Sequence, residues 1–132
     1  AIGNFIRDAL NGGPIIINGN GKARRSYLYT SDLITWLWTI LFKGNNCELY
    51  NVGSEVDITI YELAKLVAKI SSKKIDVIIK KLSTEEISND LYVPSTKKVQ
   101  TDLGIKQNID LDLSIQRTML HIQSNKSLYD LN

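Results

Sequence analysis

At 132 residues the chain has the size of one domain, long enough to bury a core of its own. A net charge of +2 with 23% charged residues excludes a strongly basic nucleic-acid coat and an acidic tail, and by itself names no partner. A single cysteine, Cys47, excludes an intrachain disulfide, and with no signal-like start the expected setting is a reducing cytoplasm.

The chain opens at Ala1 inside an amphipathic pattern and its one methionine is Met119, so we expect a fragment of something longer. Ile2, Phe5, Ile6, Ala9 and Leu10 recur at helical spacing and predict a first helix, which Gly12-Gly13 ends and Pro14 keeps from resuming. Asn4 lies beside that stripe in the first turn, where a solvated side chain is the ordinary reading. Ile15-Ile16-Ile17 and Tyr27-Leu28-Tyr29 flank Asn18-Gly19-Asn20-Gly21, which takes positive φ at little steric cost, so the spacing predicts a β-hairpin. On its second arm Arg25, Tyr27 and Tyr29 share one face, and Arg24 and Ser26 take the other. An arginine sent to the more apolar face needs an anionic partner, and its planar fork suits a phosphate or carboxylate gripped through two hydrogen bonds. Lys22, Arg24 and Arg25 also allow a different reading, a non-catalytic anion- or RNA-binding module built on a basic hairpin at 22–25.

Ser31 or Asp32 is expected to cap a helix running to Lys43, with Gly44 as its stop. The apolar run 33–42 is far short of the roughly 20 residues that span a bilayer. Leu33, Ile34, Trp36, Leu37, Trp38, Ile40, Leu41 and Phe42 leave almost no polar face, which predicts a helix covered on most sides. At roughly 1.5–3 kcal/mol per buried side chain it would be the main contributor to the core, with Trp36 and Trp38 packing rather than stacking on a ligand. Residues 48–52 read as a short strand closed by Gly53-Ser54. Thr59-x-x-Glu62 is a capping box at the head of a helix over 60–70, facing inward through Ile60, Leu63, Ala64, Val67 and Ile70.

Tyr61 and Lys65 have the Tyr-x-x-x-Lys spacing of a tyrosine made basic by a lysine. With six tyrosines, and lysine at about one residue in ten, roughly half a match is expected by chance, and the pair is assigned to the helix's outer face. Residues 75–79 predict a strand, and 80–91 a loop with one helical turn near Thr84-Glu85-Glu86. Thr96 is expected to cap a helix over 97–103 that stops at Gly104, and Asp110 a last helix to about residue 123 burying Leu113, Met119, Leu120 and Ile122. Cys47 and His121 stand alone, so neither a metal constellation nor a nucleophile with its base is expected.

Several motifs follow one another in a telling order: Asn4-Phe5-Ile6; Gly19-Asn20-Gly21, then Arg25-Ser26-Tyr27-Leu28-Tyr29 and Ser31-Asp32-Leu33; Tyr50-Asn51-Val52-Gly53-Ser54; Thr59-Ile60 with Glu62-Leu63-Ala64; and Tyr92-Val93-Pro94-Ser95-Thr96 with Asp102-Leu103-Gly104-Ile105. This order resembles the carboxy-terminal, substrate-binding part of the extended short-chain dehydrogenases, the NAD-dependent sugar-nucleotide epimerases and dehydratases. The resemblance implies an α/β protein in which residues 1–132 form a small mixed α+β substrate-binding domain of a Rossmann-type enzyme, without its NAD-binding half. It implies that Arg25 and Asn4 hold the diphosphate of a nucleotide-sugar substrate and that Tyr27, Tyr29 and Asn51 line the site. The Gly-x-x-Gly-x-x-Gly turn that such enzymes use for NAD is not in the sequence, so the cofactor and the catalytic residues are expected outside this chain. The longer enzyme would be a cytoplasmic homodimer acting at the sugar C4, with no nucleic-acid or membrane partner. One departure stands out: members commonly carry arginines just before Tyr-Val-Pro, where this chain reads Asn89-Asp90-Leu91-Tyr92. Losing a charge-assisted bond of about 1.5–3 kcal/mol would weaken binding by about one to two powers of ten.

Overall fold

A computed structural model describes residues 1–80 and 91–125. Among these the elements run α1 (Ile2–Leu10), β1 (Ile15–Ile17), β2 (Arg24–Ser26), α2 (Thr30–Lys43), β3 (Asp57–Thr59), α3 (Ile60–Ile70), β4 (Val77–Ile79), β5 (Leu91–Tyr92), α4 (Lys97–Leu103) and α5 (Leu111–Ser124). The mixed α/β class is the one the sequence predicts.

The strands form two separate sheets. β1 lies parallel to β4, Ile15 beside Val77 and Ile17 beside Ile79. β2 is the middle strand of the order β3-β2-β5, antiparallel to β3 and parallel to β5. The expected hairpin between 15–17 and 27–29 is therefore corrected. After β1 the chain leaves its sheet, because the Gly21 and Ala23 carbonyls accept from the N–H groups of Tyr61 and Ile60, both at 3.0 Å, and so start the second sheet at Arg24. Residues 27–29 join no ladder among the described residues. Gly21 is required in that crossing: its φ is +76°, and a Cβ there would lie 3.0 Å from Tyr61 Cβ.

The core lies where α1, α3 and α5 meet the β1–β4 pair. Phe5, Ile6 and Ala9 of α1, Ile15 and Ile17 of β1, Leu63, Ala64 and Val67 of α3, and Ile115 and Met119 of α5 form one buried cluster. The capping box of α3 forms in full: Thr59 Oγ1 accepts from the Glu62 N–H at 3.1 Å, and a Glu62 carboxylate oxygen accepts from the Thr59 N–H at 3.0 Å. Asp110 caps α5 through the Leu113 N–H at 2.8 Å, but Leu113 and Leu120, expected inside, are exposed, and Ile115 takes the central place.

The main correction concerns α2. Only Asp32 and Trp36 of this helix are buried, and Ile34, Leu37, Trp38, Leu41 and Phe42 face solvent. It packs chiefly on α4, so within the described residues it is not the core element that its apolarity suggests. Asp32 does not cap it either. The residue preceding the helix is Tyr29, without a side-chain cap, and the 4% exposed Asp32 carboxylate turns inward to accept from the backbone N–H groups of Asn108 and Ile109 at 3.0 and 2.9 Å. One turn on, Trp36 Nε1 donates to the Lys106 carbonyl at 3.3 Å, so the inner side of α2 grips the linker ahead of α5.

Residues 48–52 are not a strand in any ladder of the described residues; the strand of that region is β3, which the sequence reading missed. Likewise β4 is the shorter Val77–Ile79, and Leu91, the last residue of the expected loop, pairs together with Tyr92 against β2. Thr96 precedes α4 without a side-chain cap bond; its hydroxyl accepts from Gln100 Nε2 and its N–H donates to Glu55 at 2.6 Å. The expected turn at Thr84-Glu85-Glu86 lies outside the described residues. No helix of the described residues is long and apolar enough to cross a membrane.

Candidate nucleotide-sugar site

In a parallel strand pair both carboxyl ends open on the same side, the usual place for a ligand in sheets of this kind. Here the Lys80 N–H donates to the Ile17 carbonyl at 2.9 Å, which carries the β1–β4 ladder one step further and brings Asn18 and Lys80 out side by side. A cavity of about 490 Å³ opens at that end. Asn4 and Arg7 of α1 form one wall, Asn18, Asn20 and the backbone through Gly21 and Ala23 another, and Lys80 a third. Asn20 Oδ1 accepts from the Lys22 N–H at 3.0 Å and so holds the turn. The lining offers amide donors and two cations, of which Arg7 lies 3.9 Å from the carboxylate of Asp8. Such a set can hold an anion with several hydrogen-bonding groups.

Arg25 stands two residues beyond Ala23, in β2, and lines neither this cavity nor the one described next. Its strand is hydrogen-bonded on both edges, opposite Ile58 and Tyr92, and its Nη1 donates to the Arg24 carbonyl at 2.7 Å. Arg24 takes the opposite face, where its guanidinium pairs with Asp57 and holds that carboxyl below its ordinary range. Residues 22–25 are thus not the tip of a hairpin, and the geometry assumed for a protruding basic module is corrected: one arginine is committed to an ion pair and both stand in a central strand.

Tyr27 and Tyr29 line a second cavity of about 210 Å³, against Ile2 and Ile6 of α1 and Ser114 and Ile115 of α5. Burial pushes the Tyr27 phenol up, against an opposing pull from the charge of Arg25. Asn51 donates from Nδ2 to the Ser95 carbonyl at 3.0 Å and lines neither cavity. Helix α1 is the wall common to both cavities, with Asn4 on the first and Ile2 and Ile6 on the second.

The sequence reading missed Lys80, Arg7, Asn18 and Asn20. The signal for Lys80 was its place just after a β-branched run, legible only once that run is paired in parallel with β1. Lys65 lies over the Tyr61 ring, Nζ 5.4 Å from its centroid, on the exposed side of α3. Among the described residues no three or more of His, Cys, Asp and Glu gather as a metal site. Nor do these residues fit a dinucleotide: β1 runs through 18–23 into a strand of another sheet, not through a glycine-rich turn into a helix.

Residues 1–53, which carry Asn4, Arg25, Tyr27, Tyr29 and Asn51, match the model of the NAD dependent epimerase/dehydratase family. The chain is 26% identical over 113 residues to the dTDP-D-glucose 4,6-dehydratase of Mus musculus, covering 83% of this chain and 32% of that one. Among solved structures it is similar to the UDP-glucose 4-epimerase of Thermotoga maritima with UDP-glucose, at a TM-score of 0.81 and 23% identity over 96% of this chain and 40% of that one. It is similar in the same way to the dTDP-glucose 4,6-dehydratase of Bacillus anthracis in complex with NAD, at a TM-score of 0.79 and 19% identity, again over 96% and 40%. The chain therefore spans less than half the length of each of these relatives. The ordered motifs, the family match and the shared fold agree: this chain is similar to the NAD-dependent epimerases and dehydratases of nucleotide sugars.

Proposed function

We propose that this chain is the sugar-nucleotide-binding portion of an NAD-dependent epimerase or dehydratase acting at the sugar C4, inactive without the half that binds the cofactor. The observation that carries it is the cavity at the carboxyl ends of β1 and β4, where Asn4 and Lys80 converge and from which the chain enters the strand of Arg25. Arg25 and Asn4 hold the diphosphate, and Lys80 replaces the cation missing ahead of Tyr92. Asn89 and Asp90, which stand where an arginine is common, lie outside the described residues. Tyr27 and Tyr29, along the α1 wall, are the remaining site residues, and Asn51, bonded to the Ser95 carbonyl away from both cavities, holds the segment beside α4. NAD, held elsewhere in the enzyme, supplies hydride chemistry at C4 when bound; the residues of this chain bind and orient.

Calorimetry of the longer enzyme with dTDP-glucose and UDP-glucose tests this. Each charge-assisted bond lost costs about 1.5–3 kcal/mol, so Arg25→Ala and Lys80→Ala are each expected to weaken binding by roughly ten- to a hundredfold. An Arg25→Ala protein that binds as tightly as the parent removes the role assigned to Arg25. A steep salt dependence of RNA binding, with no sugar-nucleotide binding, would instead favour the anion- or RNA-binding module.

A further inference from the structure

Two asparagine-glycine pairs follow β1, Asn18-Gly19 and Asn20-Gly21, and both border the cavity. This dipeptide carries a chemistry of its own. Glycine has no side chain to shield its backbone nitrogen, so that nitrogen can reach the side-chain carbonyl carbon of the asparagine before it and close a five-membered ring. Closure requires that the two residues turn freely about their backbone bonds.

The fold treats the two pairs differently. At the second, Asn20 Oδ1 accepts from the Lys22 N–H at 3.0 Å, and the buried Gly21 is tied to the head of α3 through its carbonyl, which accepts from the Tyr61 N–H at 3.0 Å. At the first, Asn18 and Gly19 are both exposed at a bend, and among the described residues no hydrogen bond holds the Asn18 amide or the Gly19 N–H. Nor does the local structure demand glycine at 19: its φ lies outside the left-handed region, and a Cβ there would meet no atom within 4 Å. One pair is pinned and the other is free.

We propose that Asn18-Gly19 is a site of spontaneous deamidation, and that the acid formed there weakens the hold of the cavity on an anion. Hydroxide takes the proton of the Gly19 N–H, the nitrogen bonds to Asn18 Cγ, and the Cγ–Nδ2 bond breaks, releasing Nδ2 as ammonia. The succinimide left behind takes up water. Opening at the bond between Cγ and the Gly19 nitrogen gives aspartate, and opening at the bond from that nitrogen to the main-chain carbonyl carbon of residue 18 gives isoaspartate. Either way an amide and water become a carboxylic acid and ammonia, and the step needs only water and base. The new carboxylate stands beside Lys80, because the bond from the Lys80 N–H to the Ile17 carbonyl brings positions 18 and 80 out together. There it offsets one of the two cations of the lining and repels a diphosphate directly. The effect on binding rests on the functional reading above; the ring closure does not.

Peptide mapping of the longer enzyme after incubation in mildly alkaline buffer tests the site. The ring can close at 20–21 only after the hydrogen bonds of Asn20 and Gly21 open, so acid is expected to appear at position 18 at least about tenfold faster than at 20. Gly19→Ala, for which there is room, is expected to remove most of that lead without lowering the urea midpoint. Equal rates at the two positions, or faster conversion of Asn20, overturn the site and leave the functional reading standing. Calorimetry with UDP-glucose tests the effect: Asn18→Asp is expected to bind roughly tenfold or more weakly than Asn18→Gln, which alters the same side chain without adding charge. Equal affinity of these two variants, in an enzyme whose parent binds UDP-glucose, overturns the effect on the cavity. A parent enzyme that converts Asn18 first but binds no sugar nucleotide keeps the modification site and overturns the functional reading together with the effect on binding.

Discussion

Replacing Asp32 separates two roles that an aspartate near a helix start can have. As an N-cap it would tolerate asparagine, which caps about as well. The structure gives it another role: the buried carboxylate accepts from the Asn108 and Ile109 N–H groups at 3.0 and 2.9 Å and from Asn108 Nδ2 at 3.3 Å. A hydrogen bond to a charged group contributes about 1.5–3 kcal/mol, and two short ones with one long one put Asp32→Ala at about 3–5 kcal/mol. Asp32→Asn can keep its oxygen where the Asn108 and Ile109 N–H groups converge on Oδ2, but loses the charge and sets its NH₂ against Asn108 Nδ2, and should still lose about 1–2 kcal/mol. At roughly 3–5 °C per kcal/mol for a chain of this length, the alanine variant should melt about 10–20 °C lower. Urea denaturation gives the free energies directly. An asparagine variant within about 0.5 kcal/mol of the parent would refute the strap role and restore the cap.

Thr59→Ala removes the capping-box hydroxyl that accepts from the Glu62 N–H, and should cost about 1 kcal/mol in the same denaturation experiment. Acid should destabilise the fold through three carboxylates held below their ordinary values: Asp57 by Arg24, Glu55 by the Thr96 N–H, and Glu62 by the Thr59 N–H and hydroxyl. Because their folded-state pKa values are depressed, the unfolded chain binds more protons in that range, so their contribution is present above about pH 5 and lost as pH falls through the depressed values. Urea midpoints that rise between about pH 5 and 3 would contradict this assignment.

Local chemistry was legible wherever it is self-contained. The Thr59–Glu62 box, the Gly12-Gly13 stop after α1 and the Asp110 cap need only neighbours in sequence to be satisfied, and each stands where its residues put it. Partner choice was not legible. Asn18-Gly19-Asn20-Gly21 can reverse the chain or carry it into another sheet, and the decision lies with the Ile60 and Tyr61 N–H groups about forty residues on. Apolarity along 33–42 predicts a helix covered on most sides, whereas the described residues cover only the side of Asp32 and Trp36. Leu113 and Ile115 are two residues apart on one helix, and helix periodicity alone could not say which would face Leu63 and Val67. For the site, Asn4 and Arg25 came from motif order, whereas Lys80 required the parallel register that no local pattern contains.

The middle position of β2 has a consequence for ligand binding. With both edges engaged, the backbone beneath Arg25 cannot shift without breaking β3 or β5, whereas Asn4 rides on a helix that belongs to the other packing layer. A diphosphate held by both would therefore fasten a central strand to a helix, and binding would raise the resistance of the molecule to unfolding by RT ln(1 + [L]/Kd). Affinity here is then a matter of how far apart a sheet and a helix are set before the ligand arrives.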